Sequence, residues 1–145
     1  VSFFGVSLLG LLKRFSFLRF GLIGAAGYVV DVGVLAFATG ILGFEFIPGR
    51  ACSVFVAMCF TWLGNRYVTF PDRRARGLGA MLEEWLKFMG ANAVGATVNY
   101  GASVLLVHFA PQPFDNKFIA QAIGVLAGMM FNFTLSNKLV FKGPI

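Results

Sequence analysis

Charge is scarce in this sequence. Asp, Glu, Lys and Arg make up only 12% of it, against about 25% in a soluble domain. Apolar residues make up 58%, with a mean hydropathy of +0.80. A chain of 145 residues with that balance cannot cover a water-facing surface with polar groups, so its solvent is mostly lipid. Carboxylates are scarcest, and Asp31 has no second carboxylate at a spacing that would serve acid–base chemistry. The single histidine, His108, falls near a helix end and reads as interfacial rather than catalytic. The HExxH, Walker and GxSxG patterns are all missing. These absences speak against an enzyme, and no cofactor is expected.

Cysteine is also sparse. Cys52 and Cys59 lie seven apart on one predicted helix, roughly 10 Å along its axis, too far for a disulfide with each other. Neither has a His or Cys at metal-ligand spacing, so no metal is expected, and both read as small apolar core residues. The net charge of +6 comes from basic residues at helix ends. They form no patch interleaved with aromatics, which excludes a nucleic-acid partner.

What the chain does have is long apolar runs. A bilayer core of about 30 Å needs about 20 residues of helix. Four stretches qualify, 18–42, 47–63, 85–109 and 118–135, which predicts an all-α integral membrane fold of four transmembrane helices in two hairpins. Residues 43–47 read as a tight turn and 110–117, with Pro111 and Pro113, as a second. Residues 71–84, with Arg73, Arg74, Arg76, Gly77, Gly79, Glu83 and Glu84, read as an exposed loop. Residues 1–17 end in Lys13 and Arg14. They read as an N-terminal interfacial or leader segment, with a charge order opposite to that of a secretory signal. The membrane domain is then 18–142. Ten basic residues (Lys13, Arg14, Arg19, Arg66, Arg73, Arg74, Arg76, Lys87, Lys138 and Lys142) fall in the two ends and the central connection. The short turns hold only Arg50 and Lys117. This asymmetry predicts cytoplasmic N- and C-termini in a cytoplasmic, multi-pass membrane location.

The halves resemble each other. Arg19-Phe20, Gly27, Asp31 and Gly33 recur 68 residues on as Lys87-Phe88, Gly95, Asn99 and Gly101. Residues 61–70 recur 71 residues on as 132–141. Each half has two spans, so these are parallel repeats.

Polar groups at membrane depth are the informative ones. A bare carboxylate such as Asp31 costs about 3 kcal/mol there. Two readings stand: a proton- or cation-orienting site, or a hydrogen bond to Asn99, Tyr100 or Asn92. Arg50, after Pro48 at the outer start of the second span, either holds a lipid phosphate or snorkels as an anchor. Asn65-Arg66 and Asn137-Lys138 close the second and fourth spans at headgroup depth, as lipid-phosphate ligands or plain anchors. Rows of small residues carry Asn99 and Asn132, which are expected to face protein.

These motifs resemble the GtrA-like family of small four-span membrane proteins. The matching residues are Arg19-Phe20, Gly24, Gly27 and Asp31 in the first span, and Pro48 and Arg50 at the second. The second then ends Thr61-Trp62-Leu63-Gly64-Asn65-Arg66-Tyr67-Val68-Thr69-Phe70, repeated from Asn132-Phe133 to Val140-Phe141. Thr61 stands where the family has its first Asn. The resemblance implies translocation of a polyprenyl-phosphate-linked sugar, or of the polyprenyl phosphate carrier, in cell-surface polysaccharide synthesis, beside a membrane glycosyltransferase. On that expectation Arg19, Arg50, Arg66 and Lys138 bind lipid phosphate, and Asp31, Asn65, Asn99 and Asn132 line a polar path. Four helices leave little room for such a path, so a homo-oligomer is expected. Two alternatives are a non-transporting accessory subunit that positions a glycosyltransferase through Arg73, Arg74 and Arg76, and a small proton-coupled cation or drug transporter using Asp31.

Overall fold

In hydrocarbon every backbone N–H and C=O must be satisfied within the chain, and long apolar segments therefore become helices. A computed structural model describes residues 2, 3 and 6–141. Among them the main elements are α1 (Leu8–Arg14), α2 (Ser16–Gly40), α3 (Phe46–Gly64), α4 (Leu78–Phe109) and α5 (Lys117–Leu135). Single π-helical turns, Asn65–Thr69 and Ser136–Val140, continue α3 and α5. Ahead of α1, Ser2–Phe3 and Val6–Ser7 form a minimal antiparallel pair, and Ser7 Oγ caps α1 by accepting from the Gly10 N–H at 3.0 Å.

Among the described residues three helices are long and apolar enough to cross a membrane: Ser16–Gly40, Phe46–Thr69 and Lys117–Val140. Their side chains stay largely outside the protein interior, with only 11% of the α2 window buried and Ile47 80% exposed. Surface this apolar is stable only against lipid. The remaining candidate, α4, is 32 residues long, about 48 Å, but Asn92, Thr97, Asn99, Ser103 and His108 dilute its apolarity. It also begins at Leu78 rather than 85. Residues 78–84 were expected as loop and are instead its first two turns. Gly77, at φ +91°, makes the left-handed entry. Glu84 folds back to accept the Ala75 N–H at 2.6 Å and is buried rather than exposed.

The chain divides into two compact units, 1–74 and 75–145. In the first, α2 packs antiparallel on α3 where small residues allow it. Gly27 lies against Thr61, Gly49 against Thr39, and Gly64 against Ile23. In the second, α4 packs antiparallel on α5 with Gly95 against Gly128 and Asn132, and Gly124 against Asn99 and Ser103. Close backbone approach of this kind is how helices associate without a hydrophobic driving force. Cβ growth is therefore penalised where the neighbour is backbone. A Cβ at Gly128 would sit 2.5 Å from the Gly95 carbonyl oxygen. Gly128→Ala, which in a free helix gains about 1 kcal/mol, is expected here to lose about 1–3 kcal/mol by overpacking. Denaturation in SDS checks the sign.

The internal repeat is visible in each unit taken alone. Adding 68 to α2 gives 84–108, the body of α4. Adding 71 to Phe46–Gly64 gives Lys117–Leu135, and the π turns coincide at the same offset. The Gly27–Thr61 contact becomes Gly95–Asn132. The size pairing inverts at one position: Ile23 against Gly64 in the first unit corresponds to Ala91 and Leu135 in the second. The repeat also reaches further upstream than the sequence suggested. Residues 8–14 map onto 76–82, so α1 corresponds to the start of α4, with a break at Phe15 (ψ 108°) that α4 lacks.

The cysteines differ from expectation. Cys52 is exposed and Cys59 half-buried, both as free thiols on the apolar face of α3 rather than in a core. In lipid that face is a comfortable place for a small hydrophobe.

Candidate functional site

The costly carboxylate of α2 has a partner, and it is not an amide. Arg50 Nη1 donates to Asp31 Oδ1 and Oδ2 at 2.5 and 2.6 Å, and to Ser53 Oγ at 3.3 Å. Ser53 Oγ donates to the Arg50 carbonyl at 3.0 Å and is fully buried. The sequence placed Asp31 near mid-span and Arg50 at the outer end, which concealed the pairing. The Gly49–Thr39 and Gly27–Thr61 contacts put Arg50 level with about residue 38 of α2. The two Cα atoms are therefore roughly 10 Å apart along the axis, a gap that the long arginine side chain, the carboxylate and the hydrogen bond between them close together.

The second unit serves as an internal control. The positions equivalent to Asp31, Arg50 and Ser53 are Asn99, Gln121 and Gly124. There the same helix crossing is made without charge, with Gly124 packed directly on Asn99. An ion pair is thus not needed to hold such a helix pair together. Its presence in one repeat only is what packing leaves unexplained, which makes this pair the candidate site.

All hydrogen bonds of the Arg50 side chain among the described residues run through Nη1. Nε and Nη2 are left for an incoming group, and the side chain is 45% exposed. Beside it, along one open face of α3, runs a shallow apolar groove of about 460 Å³, lined by Phe46, Ile47, Ala51, Val54, Phe55 and Met58. A guanidinium fork at the rim of a hydrocarbon-lined groove suits an anionic headgroup on an apolar tail.

The other expected site residues fall into different surroundings. Arg19 spends its fork on carbonyls: Nη1 donates to Leu12 O at 2.7 Å and Lys13 O at 3.1 Å, and Nη2 to Thr69 O at 3.0 Å. Asn65 is buried in the first π turn, its Oδ1 accepting from Thr69 Oγ1 at 2.6 Å. Arg66 is buried beside it, stacked over Trp62 and Tyr67 at 5.8 and 5.6 Å. Arg74 covers the same Tyr67 ring at 5.1 Å, and Arg73 covers Phe70 at 4.9 Å. Lys138 is exposed on the second π turn. Asn132 Nδ2 donates to Asn92 Oδ1 at 2.9 Å, while Ser136 Oγ donates to Asn132 Oδ1 at 3.4 Å. Asn99 packs on Gly124 and Gly128. Both amides face protein, as expected.

The structure therefore brings Asp31 and Arg50 together, and Asn65 and Arg66 together. Asn99 and Asn132 belong to the α4–α5 packing. Ser53 escaped the sequence reading, although its place one turn after Arg50 was a usable signal. The π turns escaped too; such turns mark functional positions more often than chance, but no residue pattern announces them.

Residues 19–141 match the family model described as GtrA/DPMS, transmembrane domain. No curated protein matches the chain.

Proposed function

This chain belongs to the GtrA/DPMS transmembrane-domain family, membrane proteins of polyprenyl-phosphate sugar handling, and from that premise we propose that it flips a polyprenyl-phosphate-linked sugar, or polyprenyl phosphate, across the cytoplasmic membrane. In this reading α4 is the fourth span, and the two helix pairs are parallel repeats with both termini and the 71–77 connection in the cytoplasm. The chain makes and breaks no covalent bond; it lowers the barrier to moving a charged headgroup through hydrocarbon. A membrane glycosyltransferase supplies the lipid-linked sugar, and a second copy of the chain completes the path.

The observation that carries the reading is the Asp31–Arg50 pair within the apolar helix pair, next to a groove suited to a hydrocarbon tail. The resting carboxylate neutralises Arg50, so that no bare cation stands in lipid. An arriving phosphate takes Nε and Nη2 and competes with Asp31 for Nη1. Asp31, displaced from Nη1, takes up a proton from water, so that binding exchanges one anion for another and leaves the pair balanced, and release returns the proton. The test is translocation of a short-chain prenyl-phosphate sugar in vesicles reconstituted with the protein. Acceleration over protein-free vesicles is expected, and its absence in correctly inserted protein sinks the reading.

Orientation is tested separately. In a background with Cys52→Ala and Cys59→Ala, a membrane-impermeant maleimide applied outside is expected to label Gln112→Cys. Gly79→Cys is expected to react only after permeabilisation.

A further inference from the structure

The two repeats differ at one more place, between the start of the first long helix of each unit and the end of the second. In the first unit side chains join the start of α2 to the end of α3. Arg19 bridges to the Thr69 carbonyl, and Ile23 fills the space over Gly64. In the second unit the equivalent residues are Lys87, Val140, Ala91 and Leu135, and Gly90 stands where the first unit has Leu22. Lys87 does not bridge. It turns to Glu83, Nζ to Oε1 2.8 Å, on the exposed side of α4. An apolar groove of about 420 Å³ is left between α4 and the end of α5, lined by Gly90, Ala91, Val94, Leu135 and Leu139, with Lys87 at its mouth.

We propose that this α4–α5 groove holds the hydrocarbon chain of a lipid phosphate monoester, whose phosphate sits on the Lys87 ammonium in place of Glu83. The inference deepens the reading above by giving the carrier polyprenyl phosphate, the monoester among the lipids proposed there, a berth in the second unit, and it rests on that reading for the lipid class. The charge argument selects the occupant. Among the described residues Lys87 is the one charged side chain lining the groove, and its partner Glu83 is 67% exposed, so their bond is weak. A phosphate monoester near neutral pH carries more charge than a carboxylate and displaces it; a phosphodiester carries a single charge and has no such advantage. The groove is one channel formed by one helix pair, which suits a single chain rather than two. The ammonium is a compact, rotatable donor and can leave Glu83 without disturbing the helix.

The test uses the full chain in lipid nanodiscs with a photoreactive prenyl monophosphate carrying a diazirine in its tail, and adducts located by mass spectrometry. Adducts are expected on α4 near 90–94 and on residues 135–139. Gly90→Leu installs the residue of the first unit at a position where a Cβ meets nothing within 4 Å, so folding is retained; it is expected to remove those adducts. Lys87→Gln is expected to weaken labelling about tenfold, the loss of one charge-assisted contact, and Lys87→Arg to preserve it. Adducts elsewhere, insensitivity to Gly90→Leu, or equal labelling by a photoreactive phosphatidylglycerol each overturn the proposal. The readout is binding, so it separates from transport. Groove labelling without vesicle translocation leaves this site standing and removes the flippase reading, and translocation with no groove labelling does the reverse.

Discussion

Arg50→Gln is expected to abolish headgroup translocation and to destabilise the protein, and adding Asp31→Asn to the same chain is expected to restore the stability without the translocation. The first substitution leaves the Asp31 carboxylate inside α2 with no cation. A lone carboxylate at that depth costs about 3 kcal/mol on insertion scales, and part of this returns as the group takes up a proton. A loss of about 1–3 kcal/mol in SDS denaturation follows. The double variant places Asn and Gln where the second unit already has Asn99 and Gln121, a combination that this fold demonstrably accommodates. Stability should therefore recover to within about 1 kcal/mol of wild type, the usual size of an amide contact between membrane helices. Translocation should stay at the protein-free background, because neither amide can neutralise a phosphate. A double variant that is stable and still translocates would show the ion pair to be incidental. Arg50→Lys is a useful intermediate: it keeps the charge, loses the fork, and should translocate slowly.

Much of this was legible in the residues, for a physical reason. Lipid as solvent turns apolar run length directly into helix length, so 18–42 and 118–135 foreshadow Ser16–Gly40 and Lys117–Leu135 closely. The repeat was legible because polar residues inside a span are costly and therefore sparse, which makes their spacing informative. Three things were not legible. The start of α4 was hidden because Glu83 and Glu84 look like loop residues until Glu84 is seen folding back on Ala75. The Asp31–Arg50 pair was hidden because residue spacing fixes only the depth of Cα atoms, while the reach of an arginine side chain decides the contact. Arg19 looked like a headgroup ligand because its place at a span end fits one. Only the carbonyl positions show where its fork is used.

That use makes Arg19→Lys the second variant with a large expected effect. In the second unit α4 runs from residue 78 to 109 as one helix, so its first turns are held by continuous backbone. The first unit breaks at Phe15 between α1 and α2, and the guanidinium supplies the missing continuity. It ties the last carbonyls of α1, at Leu12 and Lys13, to the Thr69 carbonyl at the end of the first π turn. Those carbonyls are the orphan acceptors that a helix end leaves, and a cation there also meets the negative end of the helix dipole. Hydrogen bonds from a charged donor are worth about 1.5–3 kcal/mol each. An ammonium cannot serve both sides at once, so Arg19→Lys is expected to cost about 2–4 kcal/mol, concentrated in α1. Amide hydrogen exchange should rise over residues 10–15 and near Thr69, with α3 and the second unit unchanged. Lys87→Arg, the reciprocal change, should give no matching gain in stability, because α4 has no break for it to bridge. If Arg19 instead bound the lipid headgroup, exchange in α1 would stay at the wild-type rate, and the clamp would be ruled out.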